Sequence, residues 1–138
     1  MGVSWYQIRY LCMLAESYLP HCRADEGLVA IAEARDIRAR TEEHMWSAEL
    51  NRVEGELRRI QGTTPVEVEK LFQDALVIAR DQNAKSFELR AAISLARLWR
   101  DQGHPTEAKD LLAPLYGWFK EGFDTPDVVD AKALLDNL

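Results

Sequence analysis

Signals of chemistry are scarce in this chain. Two of its 138 residues are cysteines, Cys12 and Cys22. Ten residues of helix would hold them roughly 15 Å apart. That is beyond the reach of a disulfide, so two reduced thiols are expected, as in a cytosolic protein. No apolar run approaches the roughly 18 residues of a membrane span. The opening MGVSWYQIRY has no basic stretch leading into an apolar one, so no secretion signal is expected and the cytoplasm is the expected compartment. Lys and Arg number 17 against 23 Asp and Glu, a formal net charge of −6, which gives no general attraction to nucleic acid or anionic lipid. There is no G-x-G-x-x-G, no G-x-x-x-x-G-K-[ST], no H-E-x-x-H, no C-x-x-C and no G-x-S-x-G. No catalytic residue, cofactor or metal is therefore expected, and the chain is not expected to be an enzyme. His21, His44 and His104 all fall at turns or helix starts. His21 stands beside Cys22 without a second pair to complete a metal site. His104 and Glu107 fit a helix start with its acidic residue.

What is present is a repeat. Leu95, Ala96 and Trp99 form one helical stripe. Gly103 follows as a stop that tolerates left-handed backbone angles. Pro105 suits a first helical position, and Ala108, Leu111, Leu112 and Leu115 form a second stripe. Eighty-one residues earlier, Leu14, Ala15 and Tyr18 take the first set of places, and Gly27, Ile31 and Ala34 take those of Ala108, Leu112 and Leu115. A middle copy places Gly55 with Ala15 and Ala96, and Phe72 and Ala75 with Ile31 and Ala34. The period is 40 or 41 residues. Arg58 stands in the aromatic place of that copy, and IQGTTP adds one residue to its turn. Small residues at these places let two antiparallel helices approach closely, as at Ala96 facing Ala108.

The small-x-x-aromatic, then small-x-x-x-large pattern resembles the tetratricopeptide repeat (TPR). The period exceeds the usual length of about 34, and no proline closes the second helices, so these helices are expected to run long, with Pro114 kinking one of them. Thr64-Pro65-Val66-Glu67 has the form of a capping box. Thr125-Pro126 opens a last helix, expected to cap the third repeat. The expected fold is all-α: a superhelix of about three TPR-like hairpins in a single domain, residues 1–138, with repeats at about 4–40, 44–82 and 85–120 and a capping helix at about 126–137. The seven helices are expected at about 4–19, 25–40, 44–61, 65–82, 85–102, 105–120 and 126–137.

Two stretches, AKSFELRAAISLARLWRDQG (84–103) and YGWFKEGFDTPDVVDAKALLDNL (116–138), resemble the C-terminal end of large bacterial signalling ATPases. In those proteins an ATPase module is followed by a TPR-like tail. An adenylate or guanylate cyclase domain, or a DNA-binding domain, often stands at the other end. AELNRVEGEL (48–57) and AESYLPHCRADEGLVAIAEA (15–34) fit the preceding repeats of such tails. The resemblance implies a bacterial signalling context, and either an excised tail or a short relative without the catalytic modules. The ATPase and cyclase activities do not carry over, since the phosphate-binding loop is missing and there is no room for a cyclase fold.

Two surfaces are candidates for binding. In TPR arrays the first helix of each pair lines the groove, which would bring together Arg52, Arg59, Arg90, Arg97 and Arg100 with Glu56. Arginine suits recognition of carboxylate or phosphate, so one reading is a groove for an acidic protein or peptide segment. The other reading has these arginines paired with Glu49, Glu56, Glu88 and Asp101 on a solvated face. At the N-terminal edge, Trp5, Tyr6, Ile8 and Leu11 lack a preceding helix to cover them, so an apolar patch and a homodimer are expected there. Trp99 and Trp118 are expected in the core, the latter under the capping helix, and Trp5 and Trp46 partly exposed. The leading functional expectation is a non-catalytic protein-interaction or signal-relay module. The alternatives are a small-ligand sensor with its pocket between repeats, and a structural dimerisation arm.

Overall fold

A computed structural model describes residues 4–119 and 125–138. The described residues form seven α-helices and no strand. These are α1 (Ser4–Ser17), α2 (Ala24–Thr41), α3 (Ser47–Ile60), α4 (Pro65–Asp81), α5 (Lys85–Asp101), α6 (Pro105–Trp118) and α7 (Pro126–Asp136), with a 3-10 turn at Leu19–His21. The chain makes three helical hairpins in sequence order, α1/α2, α3/α4 and α5/α6, and α7 packs on α5 and α6 of the last.

Local chemistry sets the helix ends. Gly62 and Gly103 have φ of +84° and +86°, and Asn83 follows at +54°. In each case the next amide reaches back five residues: Thr63 to the Arg58 carbonyl at 3.0 Å, Ala84 to Ala79 at 2.9 Å, His104 to Trp99 at 2.8 Å. This closes the last turn and satisfies carbonyls that would otherwise be orphaned. Pro65, Pro105 and Pro126 each open a helix, where a missing N–H costs nothing. The capping box expected at Thr64 does not form. The Thr64 side chain makes no capping bond, and the Glu67 amide bonds the Thr64 carbonyl at 3.1 Å instead. α1 stops at Ser17 rather than 19, because Pro20 favours the 3-10 turn that follows, and α3 starts at Ser47 rather than 44. α6 continues four residues past Pro114, to Trp118.

Close helix approach is visible at the glycines. A Cβ on Gly27 would meet the Leu57 side chain at 2.6 Å and the Ala15 carbonyl at 3.3 Å. A Cβ on Gly55 would meet the Phe72 ring at 2.5 Å. The middle hairpin therefore trades volume across its interface. In repeat register, Gly55 and Phe72 stand where the first hairpin has Ala15 and Ile31 and the third has Ala96 and Leu112. All of these residues lie in two buried clusters or against them, one built on α1 to α3 and one on α4 to α7. Val128, Ala131 and Leu134 of α7 complete the second cluster.

The odd-numbered helices touch along the array: α1 packs on α3, α3 on α5, and α5 on α7. α2 and α4, and α4 and α6, do not pack to this extent. The odd-numbered helices therefore close together on one side, the inner side of the array. No described helix is long and apolar enough to cross a membrane.

The tryptophans divide differently from expectation. Trp99 packs against the second cluster and donates its indole N–H to Glu69 at 2.8 Å. Trp118 is not under the capping helix. It is 56% exposed, with its ring 5.1 Å from Phe119 and Lys85 above it at 5.4 Å. Trp46 packs on Phe87.

Candidate functional site

The inner side carries a charged network that spans the whole array. Arg52 of α3 grips Glu49 with two bonds, Nε to Oε2 at 2.7 Å and Nη2 to Oε1 at 3.2 Å, and its Nη2 also reaches Glu16 of α1 at 2.6 Å. Arg90 of α5 mirrors it. It donates to Glu49 Oε1 and to Glu16 Oε2 (the latter at 3.0 Å), and its Nε lies 3.4 Å from Asp127 of α7. Two guanidiniums and two glutamates thus alternate in a ring, with Asp127 attached. Glu49 and Arg52 are buried. Burial opposes the charge of Glu16, but Arg52 and Arg90 outweigh it and hold that carboxyl below its usual value. Burial likewise disfavours a charged Arg52, and Glu49 and Glu16 more than reverse this. The Cys12 thiol lies against the ring. Burial first, and then the Glu49 charge, push it up to about 12, so it stays an unreactive thiol.

Beside the ring opens a cleft of about 160 Å³. Its walls come from all four inner helices, with Glu56, Ser94, Arg97, Asp127 and Asp130 among them. Steps of three and four residues, from 49 to 52, 56 and 59 on α3 and from 90 to 94 and 97 on α5, aim these residues to one side. Glu56 Oε1 is buried and has no hydrogen-bond partner among the described residues. Burial raises the Glu56 carboxyl above its usual value, against the opposing pull of Arg52, Arg97 and Arg59 and the Ser94 hydroxyl. Burial also raises Asp127, with Arg90 opposing and Glu49 adding to the rise. Among the described residues Arg97 and Asp130 make no ion pair.

The arginines singled out in the sequence are all on the inner helices, but they do not form a basic strip. Arg52 and Arg90 are held in the ring, while Arg59 and Arg100 both pair with Asp101, at 2.5 and 3.0 Å. Of the partners expected within one helix, Glu49 is used at i,i+3. Glu88 instead takes Arg80 at 3.0 Å and Lys85 at 3.2 Å. Asp127 and Asp130 were not picked out by sequence reasoning. Nothing in the local pattern marks Asp127, because its partner, Arg90, comes from another helix.

The N-terminal edge is rearranged in the same way. Ile8 and Leu11, expected on an open patch, are buried in the first cluster against α2. Trp5 and Tyr6 are exposed, and Tyr10 (62%) and Met13 (53%) join them. In repeat register Tyr10 and Met13 correspond to Leu50 and Val53, each 0% exposed. α3 packs on the first hairpin, and among the described residues no helix packs on α1 in the same way. Comparison with known protein families, with curated proteins and with solved structures finds no match for this chain.

Proposed function

We propose that this chain is a non-catalytic binding module that docks a protein segment along the face made by α1, α3, α5 and α7. The observation that carries this reading is the cleft beside the ion-pair ring. Arg97, Glu56 and Asp130 border it outside any ion pair among the described residues, on a wall whose other charges are locked in place. A preformed polar wall lowers the ordering cost of binding. The resemblance of residues 84–103 and 116–138 to the tails of bacterial signalling ATPases supports a place in signal relay, with the docked segment coming from the regulatory machinery of such a protein. Selection of a phage-displayed random peptide library on the intact chain tests the reading. Segments are expected to be enriched whose binding weakens in Arg97→Ala. A library yielding no segment sensitive to the inner face would overturn it.

A second reading has its own observation. The exposure of Tyr10 and Met13, where Leu50 and Val53 are fully covered, favours self-association of two copies through the N-terminal edge of the first hairpin.

A further inference from the structure

We infer that the cleft between α3, α5 and α7 receives a basic side chain, a lysine ammonium or an arginine guanidinium, of the segment docked on the inner face. This rests on the segment-docking reading and adds the chemistry of the occupant, which is opposite in sign to the acidic segment that the arginine count alone would favour.

Three observations converge on it. The first is the balance of charge at the cleft. Glu16, Glu49, Glu56, Asp127 and Asp130 face three guanidiniums, those of Arg52, Arg90 and Arg97. The ring itself balances, Glu16 and Glu49 against Arg52 and Arg90, so the surplus negative charge falls on the cleft side, on Glu56, Asp127 and Asp130. Among the described residues Asp127 draws on Arg90 alone for an ion pair, at 3.4 Å, and that guanidinium is already shared with Glu16 and Glu49. The second is the state of Glu56. Its Oε1 is buried without a hydrogen-bond partner among the described residues, which is costly for a charged carboxylate, and a positive charge entering the cleft that Glu56 lines offsets that cost through space. The third is the arrangement of the remaining donor. Arg97 borders the same cleft and acts on Glu56 through space. Its fork suits the main-chain carbonyls of a segment whose side chain enters beside it. An acidic side chain would meet Arg97 but would also bring a further negative charge against Glu56 and Asp130 in a partly enclosed space, where like charges repel most strongly. A cleft of about 160 Å³ admits one side chain, not a folded element.

The experiment is a titration of the intact, nitrogen-15-labelled chain with four blocked tripeptides, acetyl-Ala-X-Ala-amide with X as Lys, Arg, Leu or Glu, followed through the backbone amides. The Lys and Arg peptides are expected to shift the amides of Glu56, Arg97 and Asp130 saturably, and the Leu and Glu peptides to leave them in place. Glu56→Gln is expected to weaken the Lys peptide about tenfold. Asp130→Asn, at an exposed site where folding is not at stake, is expected to weaken it about threefold. If the Glu peptide moves these amides and the Lys peptide does not, the inference falls and segment docking stands with the opposite sign. If no tripeptide moves them while library-selected segments still bind the inner face, the inference falls alone. If neither tripeptides nor selected segments bind there, both fall together.

Discussion

Arg52 and Glu16 meet at 2.6 Å across 36 residues of sequence, tying the inner helix of the second hairpin to that of the first. Arg90 makes the same connection from the third hairpin, across 74 residues. Breaking one member of such a buried set leaves a charge without its partner, which costs more than the pair contributed. Arg52→Met is expected to destabilise the chain by about 3 kcal/mol. The double variant Arg52→Met, Glu49→Gln is expected to lose less than the sum of its parts, because the glutamate charge leaves with the guanidinium. Urea unfolding of the four species in the cycle measures the coupling, and additive losses would mean that the ring is not a unit.

Gly55 gives a test of packing. Alanine is the better helix former by about 1 kcal/mol, yet its Cβ would stand 2.5 Å from the Phe72 ring, which is fully buried. Overpacking of this kind costs about 1–3 kcal/mol. Gly55→Ala is therefore expected to lower the unfolding midpoint, and Phe72→Leu in the same chain to recover most of the loss. That pair would recreate the alanine-and-aliphatic combination of the other two hairpins.

Two groups of carboxylates respond oppositely to pH. Burial works against the charges of Glu16 and Glu54, but Arg52 and Arg90 at the first, and Arg58 and Arg35 at the second, hold both below 4.5. Their contribution to stability is present above that value and is lost as pH falls through their folded values. Glu56 is raised above 4.5 by burial, so it favours the folded state in acid and disfavours it as pH rises through its folded value. Glu56→Gln is accordingly expected to be more stable than the parent at about pH 7, and the difference to shrink as pH falls toward 4.5. Urea midpoints across that range are the measurement. A Glu56→Gln variant equally destabilised at every pH would show that the carboxylate is needed for structure. A stabilised variant would fit a group retained for binding at some expense of stability.

The open edge makes a separate prediction. Tyr10→Glu combined with Met13→Glu changes two exposed side chains, so stability is expected to move by no more than about 0.5 kcal/mol each. Sedimentation equilibrium of the parent is expected to show a concentration-dependent mass that the double variant lacks. A parent that stays monomeric at high concentration would count against self-association at this edge.

The helices were legible in the sequence to within three residues at each end. The spacing predicted a helix at about 65–82 and another at about 85–102, and the chain has Pro65–Asp81 and Lys85–Asp101. The capping helix expected at about 126–137 is Pro126–Asp136. These signals are local: apolar residues three and four apart, a proline at the start, and a glycine or asparagine at the end. The pairing of the hairpins was legible too, because Ala15, Gly55 and Ala96 recur in register. The edge was only half legible. Ile8 and Leu11 belong to the stripe that α2 covers, and periodicity alone did not separate that stripe from the open one carrying Tyr10 and Met13.

By itself the sequence determined the order, the bounds and the repeat of the helices, since each depends on contacts within a few residues or on a pattern that recurs. Tertiary structure alone decided which charges meet. Glu16, Glu49, Arg52, Arg90 and Asp127 come from four helices, and which of them stand face to face depends on the rotation of each helix about its axis and the angles between the hairpins. Those angles follow from packing summed over two whole cores, and no short stretch of sequence encodes them. For that reason a row of arginines on one face could suggest a basic groove, while the folded chain set most of them against carboxylates and left the surplus negative charge beside the cleft.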